Sequence, residues 1–277
     1  MSKARGGLAL TDPLVNPRRH LAAFAIVAIA LAAAAPAAAQ EQLPEQPAEA
    51  MAETGALPVF DVSAEANLLS DYRFRGISRS DEDPSAQAGL MVRHESGFYT
   101  GARGTLLGGN DPFRLRNPGF GDQGDVQLDL YAGYGASLGG GFDLDAGLMY
   151  YAFVGGRGPT DYAEPYASLS YLIGPVQMTG GAKYAPSQAG TGHEDMLYLF
   201  GQVDVTVPFR PWSFSAQAGR QDWGIYGSYW NWSLGARYHV QIEGLPNSEI
   251  GLRYVDTDLP SVSGQDAALV ATLELSF

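Results

Sequence analysis

The residues best placed to do chemistry in this sequence are charges set into runs of alternating apolar and polar residues. Arg73, Arg75, Arg93, Arg103, Arg237 and Arg253 stand at such positions towards the two ends of the chain, and Asp125, Asp129, Asp143, Asp145, Glu164 and Asp204 in its middle. Successive side chains of a strand point to opposite sides, so a period of two puts each charge on the face away from its apolar neighbours. If the strands close into a ring, the last pairs with the first. The arginines then make one basic arc, facing an acidic arc across a shared interior. Opposed charge in a low-dielectric cavity sets up a transverse field that orients dipolar or charged solutes and keeps the space wet. Local pairing, for example Glu65 or Asp71 with Arg93, is the competing expectation.

Hydrolysis would need a histidine within reach of a serine or carboxylate. His94 falls at a strand end, His239 faces inward beside Arg237 and Gln241, and His193 stands in a loop before Glu194 and Asp195. With Asp222, that last group is the candidate rim cluster of a barrel hydrolase. The loop acids Asp81, Glu82, Asp83, Asp256 and Asp258 could attract divalent cations, but no ligand spacing demands it. Phosphate loops, paired zinc ligands and nucleotide fingerprints are absent from the sequence. The expectation is therefore no catalytic residue, no metal and no cofactor.

The elements that must hold these charges are strands. In the last stretch, DAALVATLELSF, Leu269, Ala271, Leu273, Leu275 and Phe277 share a face, opposite Val270, Thr272, Glu274 and Ser276. The same alternation starts near Val62, where the first strand is read as running through Tyr72 and Phe74, and it recurs about twelve times. Val126 to Tyr134 and Phe142 to Tyr150 are its clearest instances. Each run has about the length a tilted strand needs to cross a bilayer. Short connections at 96–97, 139–141, 174–175, 208–211 and 243–248 alternate with longer ones at 76–84, 108–124, 155–160, 186–194, 222–228 and 257–265. Loop lengths segregated in this way predict an all-β, transmembrane antiparallel up-and-down barrel of about twelve strands, with short periplasmic turns and longer extracellular loops.

That topology makes a second prediction. Outward aromatics should collect at two depths with aliphatic residues between them. Phe98, Tyr134, Phe142, Tyr171, Trp212, Phe214, Tyr238 and Phe277 fall near the short-turn rim; Tyr72, Phe74, Tyr150, Tyr184, Trp230, Trp232 and Tyr254 fall near the other. Inward tyrosines at 99, 131, 151, 166 and 198 are expected to narrow the interior and hydrogen-bond across it.

Ahead of the strands, the apolar run from Leu21 follows Arg18 and Arg19 and ends in Ala37, Ala38 and Ala39, the pattern of a signal peptide cleaved after residue 39. Cleavage would take 17 bases and 30 acids to 13 and 29, a net charge of −16. Such acidity excludes nucleic acid as an expected partner, because phosphate binding needs clustered Lys and Arg. Residues 40–60, rich in Pro, Glu, Gln and Ala, read as a disordered acidic periplasmic tail, and 61–277 as the barrel. The chain has no Cys, so disulfides and thiolate metal sites are excluded.

The run SDYRFRGISRSDEDPSAQ, followed by HESGFYTG, resembles the start of the TorF-family porins, the proteobacterial group also called Gcw_chp. The resemblance spans about Asp61 to Phe277 and is most specific in SDYRFRGIS. It implies an outer-membrane barrel and a channel, and brings no catalytic residues with it. The expected activity is passive diffusion of small polar or charged solutes through a narrow lumen in a Gram-negative outer membrane. The expected partners are membrane lipid and lipopolysaccharide, the solutes, and the barrel-assembly machinery acting through Phe277. A barrel hydrolase near His193 and a loop-mediated binding or structural barrel are the alternatives. Loop 108–124 is a candidate constriction folded into the lumen.

Overall fold

The computed structural model describes residues 59–108, 122–241 and 247–277. The expected leader, almost all of the acidic tail and most of loop 108–124 lie outside the described residues. The chain forms β1 (Phe60–Leu69), β2 (Arg73–Phe74), β3 (Ile77–Ser78), β4 (Ser85–His94), β5 (Phe98–Leu106), β6 (Asp122–Gly139) and β7 (Phe142–Arg157). It continues as β8 (Tyr162–Ile173), β9 (Val176–Ala185), β10 (Met196–Thr206), β11 (Trp212–Asp222), β12 (Ser228–Val240), β13 (Asn247–Thr257) and β14 (Ala268–Ser276).

Twelve of these, β1 and β4 to β14, close into one antiparallel barrel in which each strand pairs with its neighbours along the chain. The seam is the pairing of β1 with β14, in register from Glu65↔Ser276 to Leu69↔Thr272. Phe277 extends it, its N–H donating to the Ala64 carbonyl at 3.2 Å. Closure leaves no sheet edge with unpaired backbone groups, which is what lets strands stand in hydrocarbon. Bulges interrupt the β6–β7 ladder between Gly124 and Val126 and between Ser137 and Gly139.

The outside is apolar, as the alternation requires. Leu130 and Leu234 point away from the axis, with 42% and 60% of their surface exposed. At the short-turn rim the aromatics touch across paired strands: Phe98 with Tyr134 at 4.9 Å between ring centroids, Phe142 with Tyr171 at 4.5 Å, and Trp212 with Tyr238 at 4.8 Å. At the other rim Tyr150, Tyr184, Trp230, Trp232 and Tyr254 are exposed. Tyr184 and Tyr254 donate their hydroxyls to Asp195 and Asp256, both at 2.8 Å. Ring to the hydrocarbon and hydroxyl to the water is the posture of an interfacial tyrosine.

The first strand is shorter than the alternation suggests. Tyr72 and Phe74, expected in the outer girdle, are 3% and 6% exposed and lie inside the barrel. By Leu69 the ten residues of β1 have the length that crosses a bilayer, so the chain can leave the wall there. It turns inward and forms the small hairpin β2–β3, held in register by Arg73↔Ser78 and Phe74↔Ile77. Arg75, at φ 49°, and Gly76, at φ 88°, make its turn.

Candidate functional site

The polar residues of SDYRFRGISRS build this hairpin. Asp71 accepts from Arg73 Nε at 2.5 Å, Ser78 Oγ at 2.6 Å and Ser80 Oγ at 3.1 Å. Ser80 Oγ in turn accepts the Tyr72 N–H at 2.8 Å. One buried carboxylate thus gathers both arms of the loop. The segment then reaches the wall in several directions. Arg75 Nη2 binds Glu164 on β8 at 2.7 Å, Arg75 Nη1 donates to Gln221 on β11 at 2.5 Å, and Arg79 Nη1 donates to Gln127 on β6 at 2.6 Å. Arg73 Nη1 donates to the Asp266 carbonyl at 2.5 Å, and Ser78 N–H to the Gly264 carbonyl at 2.7 Å, both in the β13–β14 loop. Gly76 sits against Thr257 and Asn231 with no room for a side chain. The hairpin is a plug across the lumen.

Its apolar side packs on one wall. Tyr72 and Phe74 cluster with Tyr99, Tyr131, Met149, Tyr151, Phe153, Tyr162, Tyr166 and Met196. Phe74 meets Tyr151 edge to face at 5.6 Å, and the Arg79 guanidinium lies 3.5 Å from the Phe74 ring centre. The inward tyrosines hydrogen-bond across the lumen wall as expected. Tyr99 OH meets Asp145 at 2.7 Å and Tyr166 OH at 2.5 Å, Tyr151 OH donates to Glu164 at 3.2 Å, and Tyr198 OH to Asn231 at 3.0 Å. Three of these rings lie over glycines directly opposite in register: Tyr99 over Gly133, Tyr131 over Gly101 and Tyr166 over Gly147. The missing Cβ is what lets each ring fold against the wall.

The expected charges now have places. Arg73 and Arg75 are not on the first wall strand: both belong to the plug, because the chain leaves the sheet at Ser70. Arg93 on β4, Arg103 on β5, Arg237 on β12 and Arg253 on β13 occupy one half of the ring; Asp129 on β6, Asp145 on β7, Glu164 on β8 and Asp204 on β10 occupy the other. Asp143 is half-buried near the short-turn end of β7, and Asp125 is exposed at the first β6 bulge, where the inserted residue breaks the alternation that had put it inside.

Each half also holds charges of the other sign. Arg103 Nε binds Glu65 of β1 at 2.6 Å, and Arg237 lies 3.6 Å from Asp204 and 3.8 Å from Glu249 of β13. Glu274 on β14 and Lys183 on β9 are buried inside as well. Glu65 and Asp71 thus pair with Arg103 and Arg73, not with Arg93. Arg93 and Arg253 each keep a buried Nε and Nη2 without a hydrogen-bond partner among the described residues.

The histidines lie where the alternation placed them, but the rim cluster at His193 is not the relay that forms. His193 is exposed in the β9–β10 loop at φ 63°, and its neighbour Asp195 is engaged by Tyr184 OH and, at 2.7 Å, by Ser187 N–H. The relay that does form is elsewhere: His239 Nε2 lies 3.0 Å from Ser213 Oγ, and Nδ1 lies 2.9 Å from Glu249. A nucleophile also needs preorganised donors for an oxyanion. Here Ser213 is laddered to Thr206 on one side and Arg237 on the other, so the strand's N–H groups are committed to the sheet. Among the described residues no three His, Asp or Glu side chains converge to hold a metal.

A family model described as "Bacterial protein of unknown function (Gcw_chp)" matches residues 52–274, and the chain belongs to that family. No curated protein matches it in sequence. Among solved structures it is similar to the NanC porin, at 10% identity and a TM-score of 0.50 over 78% of this chain and 99% of that one. It is also similar to the KdgM porin in complex with disordered oligogalacturonate, at 8% identity and a TM-score of 0.51 over 78% of this chain and 98% of that one. These likenesses are of fold: a closed, twelve-stranded porin barrel.

Proposed function

We propose that the protein is an outer-membrane channel for passive diffusion of small polar or charged solutes, and not an enzyme. The reading rests on one observation above all: a closed barrel, apolar and twice girdled with aromatics outside, lined within by arginines and carboxylates. A soluble sheet protein has no use for that inversion. Placement within the TorF group, export with loss of residues 1–39, insertion through Phe277 and contact with lipopolysaccharide at the long-loop rim belong to the same proposal. On this orientation the long loops are extracellular and the β2–β3 plug hangs below the outer entrance.

The basic and acidic halves supply the selectivity. Their local pairs neutralise part of the field, leaving Arg93 and Arg253 as the contributors on the basic side. Conductance of the purified full-length protein across planar bilayers tests the reading. Steady open currents with a reversal potential set by the salt gradient are expected. An electrically silent membrane together with hydrolysis of lipid or peptide would replace the channel with an enzyme centred on Ser213, His239 and Glu249. Silence with neither activity would favour a loop-mediated binding barrel.

A further inference from the structure

Between the turn of the plug and the wall formed by β10 to β13 lies a small cavity of about 20 Å³. Arg73, Arg75 and Gly76 of the hairpin line it on one side, and Gln217, Ser233 and Arg253 are among the wall residues on the other. Since roughly 10–15 Å³ is enough to hold one water, the space takes a single small sphere and is too small for a carboxylate or a phosphate.

Three guanidiniums meet there, and two of them are matched. Arg73 Nε binds Asp71 at 2.5 Å, and Arg75 Nη2 binds Glu164 at 2.7 Å. Arg253 is the third. Its Nε and Nη2 are buried without a hydrogen-bond partner, and it forms no ion pair among the described residues. The field of Glu274 reaches it from β14, but that residue stands opposite Glu249, whereas Arg253 stands opposite Val270. Asp71 is already taken by Arg73, Ser78 and Ser80.

Among the described residues no carboxylate lines the cavity, and several of its side chains can donate. Ser233 brings a hydroxyl, and Gln217 brings a carboxamide that gives one N–H to Tyr198 OH at 3.4 Å. Water would satisfy the Arg253 N–H groups but not the charge. In a low-dielectric interior a guanidinium needs both, and an anion supplies both at once.

We propose that this cavity binds one halide ion, chloride or bromide, held by Arg253 Nε and Nη2 and bridging the wall to the plug. A single negative charge completes the count of the three arginines, and the volume selects a monatomic anion over a polyatomic one. The ion also changes what the plug meets. Arg73 and Arg75 present like charge to Arg253, and an anion between them turns that repulsion into a tether. Glu164 anchors the hairpin to one half of the ring; the halide anchors it to the other. Control of current by the seated ion rests on the channel reading, but binding does not.

Melting of the full-length protein in detergent micelles, followed as chloride replaces gluconate at constant ionic strength, tests this. The melting temperature is expected to rise saturably with chloride and with bromide and to stay level when acetate is the replacement. Arg253→Gln should abolish the rise. If that variant does not fold, crystals of the wild type grown in bromide decide, with an anomalous peak expected in contact with Arg253 Nε and Nη2. An equal response to acetate, a chloride response kept by Arg253→Gln, or no bromide peak at Arg253 would overturn the proposal. Saturable chloride binding by a protein that carries no current would sink the channel and spare the site; current without a chloride-specific response would do the reverse.

Discussion

Two stretches of the same wall face the lumen and do opposite things. From β5 to β8 the inward residues include Tyr99, Tyr131, Met149, Tyr151, Phe153, Tyr162 and Tyr166, buried and clustered with Tyr72 and Phe74 of the plug, beside the polar Gln127, Asp129, Asp145 and Glu164. From β11 to β14 they include Ser213, Gln217, Ser233, Arg237, Arg253, Thr272 and Glu274, mostly small or polar, with Val255 and Val270 the buried apolar residues among them. Both stretches obey the same alternation and present the same kind of apolar face to the outside. The inner face is therefore free to vary. One side of the barrel carries the aromatic seat for the hairpin as well as carboxylates, and the opposite side carries mostly polar and charged groups.

The largest test of that division is to remove what sits on the seat. Replacing residues 71–80 by a short Gly-Ser linker should raise single-channel conductance severalfold if the plug sets the constriction. An unchanged conductance would mean that solutes bypass the hairpin along β11–β14. A single anchor can be cut instead. Arg75 and Glu164 are 2% and 0% exposed in their side chains, so Glu164→Ala leaves a buried guanidinium without its counter-charge, at a cost of about 3–5 kcal/mol. The expected outcome is a flickering open state in current traces and a lower melting temperature. Steady wild-type current would show that the other anchors suffice.

The seat itself should tolerate no added bulk. Gly133→Ala and Gly147→Ala push the Tyr99 and Tyr166 rings off the wall and should each destabilise by about 1–3 kcal/mol in denaturant titrations. Gly180→Ala, with nothing near its side-chain position, is the control. In the basic half, Arg253→Gln combined with Arg93→Gln should move the reversal potential in a tenfold salt gradient towards cation preference by about 10 mV or more. No movement would remove the basic half from selectivity.

The smallest effect is at the plug's outer tether. Glu82 accepts the Gly264 N–H at 2.8 Å and Ser263 Oγ at 3.0 Å, and the Gly264 bond holds its carboxyl below the usual carboxylate range. A lowered value in the folded state contributes stability that is complete above the ordinary carboxylate range and fades as pH falls through the lowered one. Hydrogen exchange at Gly264, taken relative to the intrinsic rate at each pH, should therefore quicken as the pH falls through that lowered range in the wild type. In Glu82→Gln it should be faster already at neutral pH, with little further change.

Most of the wall was legible beforehand, since a two-residue period sorts side chains by face whatever the strand's neighbours. The outward leucines, the aromatic rims, the segregated loop lengths and the inward tyrosines all followed. The plug did not. Its residues continue the alternation, so Tyr72 and Phe74 read as outward and Arg73 and Arg75 as wall charges. The available signals were that β1 already had its full length at Leu69 and that Asp71, Ser78 and Ser80 cluster around a Gly. Asp125 was misplaced because it is itself the residue inserted at a bulge, with no residue opposite it on β7 to hold it to the alternation. The Ser213, His239 and Glu249 relay joins three strands, and spacing along the chain carries no trace of it.

By itself, then, the sequence determined which face of each strand meets lipid and which meets the lumen, because that follows from local backbone geometry and the burial of apolar area. Only the tertiary structure decided what fills the lumen and which charge meets which. Those contacts join residues as far apart as Arg75 and Gln221 or Arg73 and Asp266, and they exist only once twelve strands have closed and fixed the distances across the ring.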